Sequence, residues 1–579
     1  MTQTVMDETS VRIATPRAPV LSTADVAALR RLMTRGGAER TALLQAAGER
    51  PIRSAKALRE WHELLLFVLA HPRDEVESSL ASAALDRVSA IAAQLQTASS
   101  RAGDALTNSG IAGAPVEGSY SLALLRWLLR TWPAHLTLTQ VDAPLDEVRD
   151  VLRTLVLPVE EELVDWPVAD ADELLASLFG PSRHRWISLL VAALDALDAD
   201  ERVREHLFAR LRVYVRIDGA AATCSVTKVS VPTGATFFLR AGAIRSVDVA
   251  AIASMPAPRP VRLSAAAAQG LIDTARTVLA TMERETDPVT HAGTASLFDM
   301  GRGLRIALYS LSASHRLAFD SYVGFMAFRN GVPLAYGGAW IFPGRSKIGI
   351  NVFPAQRGGE SAWCFAQLLR LYRSEFRVDR FEAENYQLGH GNAEGLRSGA
   401  YWFYYRLGFR PMTPALRRVA EREFGRLSRR SGYAVPRPVL LELVEAGLEL
   451  VLRDTAGPVI DTSALTEAAQ RLVVQRHDGD RARAMSHALR RVRAVMRSVE
   501  SPASRDRWTA AEKHVLHLWA LPLDLVDDLE AWPPVERQRL ALLIRAKAGA
   551  TETRHQRLLR KHRRLLSAWQ RSLQPAGPP

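Results

Sequence analysis

The chain has 579 residues, 47% of them hydrophobic and 24% charged. That length and composition describe a folded globular protein of several structural units and exclude disordered and fibrous classes. The formal net charge of +13 is unevenly placed: between Arg537 and Arg571 eleven Lys or Arg stand against one acid, Glu552, so about +10 of the excess sits near the carboxy terminus.

Several chemistries are absent from the outset. No apolar run approaches the ~20 residues that cross a bilayer. The opening "MTQTVMDETS" has two acids and no basic region leading into an apolar segment, so no secretory leader is expected and the cytoplasm is the default location. The two cysteines, Cys224 and Cys364, fit neither a zinc knuckle nor a redox pair and are expected to be core thiols. His-Glu-x-x-His, Gly-x-Ser-x-Gly and Gly-x-x-x-x-Gly-Lys-Ser/Thr do not occur, and no metal is expected.

In chain order, "STADVAALRRLM" and "ALREWHELLLFVLA" carry apolar residues at three- and four-residue intervals, which predicts an all-helical region over 1–115 ending in the Gly- and Ser-rich stretch 101–119. Residues 116–260 read as mainly helical with two short alternating segments, "RVYVRID" and "TCSVTKVSV", as strands. The triple-proline stretch "ASMPAPRPVRL" (253–263) reads as a linker. Mixed helix and strand follow over 261–413. Helices return over 414–579, with capping-box spacing at Thr509 and Glu512.

Within 261–413 the predicted order is a helix "SAAAAQGLIDTARTVLATME", a hairpin "SYVGFMAFRNGVPLAYGGAWIF" and a strand "KIGINVF". A turn "PAQRGGES", a helix "SAWCFAQLLRLYRSEF", a strand "VDRFEAENY" and a last helix with the aromatic run Tyr401–Tyr405 complete it. Asn330-Gly331 between two apolar runs is the hairpin signal, because both turn residues must tolerate positive φ. A Gly-rich turn entering a helix leaves backbone N–H groups free, and with the helix dipole these favour an anion.

These segments, in this order, resemble the GNAT superfamily of acyl-CoA-dependent N-acyltransferases over residues ~264–413. The resemblance rests on the hairpin, on Val352, Pro354, Arg357 and Gly358 in "INVFPAQRGGES", and on Ala400, Tyr404, Gly408 and Phe409 in "GAYWFYYRLGFRP". It implies an α+β fold, a GNAT-like mixed-sheet domain flanked by mainly α-helical regions, with acyl-CoA as cosubstrate and an amine-bearing acceptor. It implies a diphosphate site at Val352, Gln356, Arg357, Gly358, Gly359 and Ser361, a general base at Glu384 with Glu382 second, and Tyr404 as the acid for the leaving thiolate. Substrate contacts are expected from Tyr336, His390 and Asn392.

The chain departs from the family at Glu360, where a second Gly is usual and a carboxylate would repel a bound diphosphate, and at Arg397, where Asn is usual. Two other readings stand beside this one. The Fem-type aminoacyl-tRNA-dependent transferases share a GNAT-like fold, and the basic tail and Glu360 suit a tRNA-borne donor. A non-catalytic GNAT-like binding module is the third. The tail "RHQRLLRKHRRLLSAWQRSL" forms an amphipathic stripe, and its partner is the rest of the chain, RNA or an anionic surface.

Overall fold

The computed structural model describes residues 19–573 except 36–38, 219–222, 228, 230, 232–236, 241, 243, 245, 454–459 and 500–506. Among the described residues no helix is long and apolar enough to cross a membrane. The fold class is α+β.

The amino-terminal helices form as their spacing predicts, with Ala55–Ala70 N-capped by Ser54, whose side chain accepts from the Ala57 N–H, and Glu75–Ala98 capped likewise by Asp74. The next region holds a small antiparallel sheet. Strand β1 (Val116–Gly118) and β2 (Leu136–Val141) flank β3 (Val213–Ile217), so "RVYVRID" finds both partners in segments not read as strands. The described residues of the second expected strand, "TCSVTKVSV", are turn and coil.

A nine-stranded sheet dominates the middle of the chain. Its strands are β4 (Arg259–Val261), β5 (Ala292–Gly301), β6 (Leu304–Leu311), β7 (Ser321–Arg329), β8 (Val332–Phe342), β9 (Arg345–Val352), β10 (Arg380–Ala383), β11 (Arg410–Pro411) and β12 (Leu448–Val451). The order across it is β11-β12-β10-β9-β8-β7-β6-β5-β4, antiparallel throughout except for β9 beside β10. The sheet therefore extends past both expected edges. The Pro-rich linker supplies β4, and β12 lies beyond residue 413 and inserts between β10 and β11. The hairpin β5–β6, turning at Gly301, Arg302 and Gly303 with positive φ at all three, was missed by the sequence reading.

The Asn330-Gly331 turn forms, with φ of 48° and 84°. Asn330 is buried and also acts as a clamp, its Nδ2 donating to the Ala70 and Phe238 carbonyls and its Oδ1 accepting from the Phe238 N–H. Both faces of the central strands are covered. On β7, Met326 and Phe328 join the core beneath Trp61, Leu64 and Leu65, while Phe325 and Ala327 join that of the helix Ser361–Phe376. Cys224 and Cys364 are buried free thiols, each pushed by burial up to about 12.

The carboxy-terminal helices close on their own core of Trp519, Trp532, Leu559, Leu565 and Trp569. The tail folds back as Thr553–Lys561 and Arg563–Ser572 and docks on the sheet domain. Arg557 donates to the Glu375 carbonyl, Arg560 pairs with Asp379 at 2.7 Å, and Gln556 donates to the Ile341 carbonyl. Of the expected partners of the basic tail, the rest of the chain is the one in place.

Two buried ionisable groups, Glu360 and His62, have direct consequences for stability. Glu360 is 3% exposed, 3.2 Å from Arg329 and 3.4 Å from Arg240, and accepts from the Ile244 N–H. Removing one partner of such a cluster strands the others. We expect Glu360→Ala to cost about 3–5 kcal/mol in urea unfolding. His62 contacts the Thr227 hydroxyl at 2.9 Å, and burial, helped by Arg59, pulls it down to about 3. Its folded-state value lies below the unfolded ~6.5, so its contribution is complete above about pH 6.5 and is lost as pH falls towards 3. Urea midpoints should fall between about pH 6.5 and 5, above the carboxylate range, and fall less in His62→Gln.

Candidate active site

The site originates in the short pairing of β9 with β10. The two strands share only Arg345 to Lys347 opposite Arg380 to Glu382, after which β10 ends at Ala383 and β9 continues to Val352. Expected as a strand to Tyr386, the chain instead turns at Glu384 into a short helix, Asn385–Leu388. On its β10 side the β9 backbone then lacks a strand partner, although β8 still pairs its other edge, and a buried backbone group must find one. Two side chains supply it at Ile350: its N–H donates to the Tyr404 hydroxyl at 3.2 Å, and its carbonyl accepts from Gln387 Nε2 at 3.1 Å.

Beside this opening lies a cavity of about 450 Å³, within the size range of small-molecule sites. Of the expected site residues it gathers Tyr336, Val352, Arg357, Gly358, Ser361, Asn392 and Tyr404. Arg59, Arg284, Gln387, Glu394 and Phe403 also line it and were not singled out from sequence. Three arginines and one glutamate make the lining formally +2. Glu394 lies between two of them, 3.2 Å from Arg357 and 3.5 Å from Arg284.

The turn into the helix Ser361–Phe376 is held from behind. Arg30 donates to the carbonyls of Pro354, Ala355 and Arg357 at 3.1, 2.8 and 3.0 Å. A trans peptide sets its N–H opposite its C=O. The Gly358 N–H, on the peptide whose carbonyl meets Arg30, therefore points away from Arg30. Gly358 has φ +83°, a conformation a side chain disfavours. Among the described residues, the N–H groups of Gly358, Ser361 and Ala362 make no hydrogen bond, as expected for a helix start.

Glu360, the departure expected to repel an anion, is turned into the core against Arg240 and Arg329 and does not line the cavity. Two expected diphosphate contacts are corrected. The Gln356 side chain is buried towards the Leu66 carbonyl, and the Gly359 N–H is used by the Gln356 carbonyl, while a Cβ at 359 would lie 2.9 Å from His71.

The expected bases are also placed elsewhere. Glu384 pairs with Lys347 at 2.9 Å and Glu382 lies 3.7 Å from Arg345, neither lining the cavity. Strand alternation turns Phe381 and Ala383 into the helical core and Glu382 to the opposite face, and Glu384 lies past the end of the strand. His390 lies 3.6 Å from Glu445, outside the lining. Asn392 lines the cavity but is committed to structure, capping the helix Ala393–Ser398 through the Gly395 N–H.

The aromatic run divides by direction. Trp402 and Tyr405 stack around Phe424 of the following helix, and Arg410 lies over the Tyr405 ring at 4.2 Å. Tyr404 is 1% exposed, and burial pushes its hydroxyl well above the usual tyrosine range, with the Ile350 and Gln387 hydrogen bonds opposing. It therefore keeps its proton. Because the oxygen accepts from Ile350, its hydrogen is available for a separate acceptor.

In comparisons with known proteins, no family model, no curated protein and no solved structure matches the chain.

The Ile350–Tyr404 bond has a structural consequence separate from any chemistry. Tyr404→Phe leaves the Ile350 N–H without its acceptor, and we expect a loss of about 1–3 kcal/mol in denaturant unfolding. No loss would show that the bond does not hold β9.

Proposed function

We propose that the protein transfers an acyl group from acyl-coenzyme A to an amine acceptor in the cavity beside β9. The observation that carries this reading is the shared cavity of three elements. These are the unbonded N–H groups at the start of the helix Ser361–Phe376, the Arg357 guanidinium, and the Tyr404 hydroxyl at the unpaired edge of β9. The first two suit a diphosphate by backbone donation and charge. The resemblance to the GNAT superfamily and the parting of β9 from β10 support it.

Binding of the diphosphate draws Arg284 and Arg357 away from Glu394 by direct competition. The acceptor nitrogen attacks the thioester carbonyl carbon, the C–S bond breaks, and the proton lost by the amine ends on the departing sulfur. Glu394, the one carboxylate among the described lining residues, lies at the diphosphate end, where it holds Arg284 and Arg357 until the diphosphate replaces it. Tyr404 acts as a hydrogen-bond donor to the developing thiolate, because burial disfavours giving up its proton outright. Val352, two residues beyond Ile350 and on the same strand edge, offers backbone groups to the pantetheine arm.

The tRNA-dependent reading drew on the basic tail. Arg557 and Arg560 are spent on contacts with the sheet domain, and this leaves that reading with less support.

Acetyl-CoA and a long-chain acyl-CoA should each raise the melting temperature and bind stoichiometrically by calorimetry. Arg357→Ala should weaken binding by at least about tenfold, the worth of one charge-assisted contact. Tyr404→Phe should bind acyl-CoA but turn over more slowly. No response to any CoA species would sink the proposal and leave the binding-module reading.

A further inference from the structure

The carboxy-terminal helices carry a second cluster of chemically capable side chains, remote from the cavity in sequence and built from three helices. The helix Thr462–His477 ends at His477, and the chain reverses through Asp478 and Gly479, both with positive φ. Asp480 then caps the helix Arg481–Arg497 by accepting from the Arg483 N–H. This tight reversal sets His477 beside His487, with ring centroids 5.3 Å apart. The helix Ala510–Asp524 delivers Asp524 from the third side.

The ligand atoms of His477, His487 and Asp524 lie within 4.8 Å of one another. Their hydrogen bonding is incomplete. His477 is 6% exposed and, among the described residues, both of its ring nitrogens lack a hydrogen-bond partner. The side chain of Asp524 is 1% exposed, and its Oδ2 also lacks one. His487 Nδ1 and Asp524 Oδ2 are 3.5 Å apart, longer than a well-formed hydrogen bond. Burying an imidazole and a carboxylate oxygen with those groups unbonded is unfavourable. A cation at the centre would engage one ring nitrogen of His477 and the Asp524 Oδ2 together.

The surroundings orient the carboxylate for that purpose. Arg491, one turn beyond His487 on the same helix, donates to Asp524 Oδ1 at 3.0 Å and to the Val526 carbonyl at 2.7 Å. Its charge is also answered by Glu530 at 2.5 Å. It therefore fixes Asp524 through one oxygen and leaves Oδ2 turned towards the imidazoles, as outer partners of metal ligands do. The half-exposed His487 gives an entry path from solvent.

We propose that His477, His487 and Asp524 bind a divalent transition-metal ion. Two imidazole nitrogens and one carboxylate oxygen suit zinc, with a fourth position open to water. A tetrahedral ion at ~2.0–2.1 Å from its ligands needs them about 3.4 Å apart, so binding draws the three side chains inward by about an ångström. The ion would pin the ends of the first and third helices to the middle of the second.

The test uses the full chain and zinc alone, after chelator treatment. Calorimetry should show one tight equivalent of Zn²⁺ and a raised melting temperature. Co²⁺ substituted at the site should give the visible absorption bands of a low-coordinate nitrogen and oxygen environment. His487→Gln, at the half-exposed position, should fold as the parent by circular dichroism and bind zinc at least about tenfold more weakly. Asp524→Asn should abolish the cobalt bands. The absence of a stoichiometric site in the parent chain would overturn the proposal. So would unchanged zinc affinity in His487→Gln, which would place the ion elsewhere.

Discussion

The loss of strand pairing beyond Lys347 is the constraint on which the candidate site depends. A parallel neighbour that stops after three shared positions leaves the rest of β9 with an open edge in the middle of a buried sheet. That edge must be bonded or hydrated. Gln387 and Tyr404 bond it at Ile350, and in doing so they hold the helices that follow β10 at a distance, so the space between remains a cavity. A longer β10 would close it. The turn at Glu384, which ends the strand, is thus as important to the site as any residue lining it.

The second support comes from outside the sheet domain. Arg30 holds three carbonyls of the turn before the helix Ser361–Phe376, Asn330 ties the β7–β8 hairpin to the helix Ala55–Ala70, and Arg59 and Asn108 reach the cavity itself. The amino-terminal helices therefore form one wall of the site. Glu360 serves the same joint from beneath, binding Arg329 of β7 and Arg240 within the core. A residue that looks wrong for an anion site by position is neutralised and turned away. Its charge organises the fold there and does not face the cavity.

Much of the middle domain was legible because local chemistry dictates it. The Asn330-Gly331 turn and the Gly-rich entry to a helix appear where expected, as does the capping box at Thr509 and Glu512 in the carboxy-terminal helices. Other elements were not. β12 returns from beyond residue 413 to sit between β10 and β11, and no local signal distinguishes a four-residue strand that pairs across two intervening helices. The small sheet was half-seen for the same reason: β1 has three residues and pairs with a strand almost a hundred positions later. The resemblance implies Glu384 as the general base, on a strand expected to continue to Tyr386. The strand ends at Ala383, and Lys347 pairs with Glu384.

Sequence alone determined the α+β class, the helical flanks, the hairpin and the helix entry, since these follow from period, turn residues and caps within a dozen positions. It also located Arg357, Gly358 and Tyr404, which the fold brings to one cavity. Only the tertiary structure decided where β9 and β10 part, which way Glu360 points, and that Arg284 and Arg357 meet at Glu394. It alone set His477 and His487 against Asp524. Those outcomes depend on which distant segment fills the space beside a residue, and that is fixed by packing the whole chain.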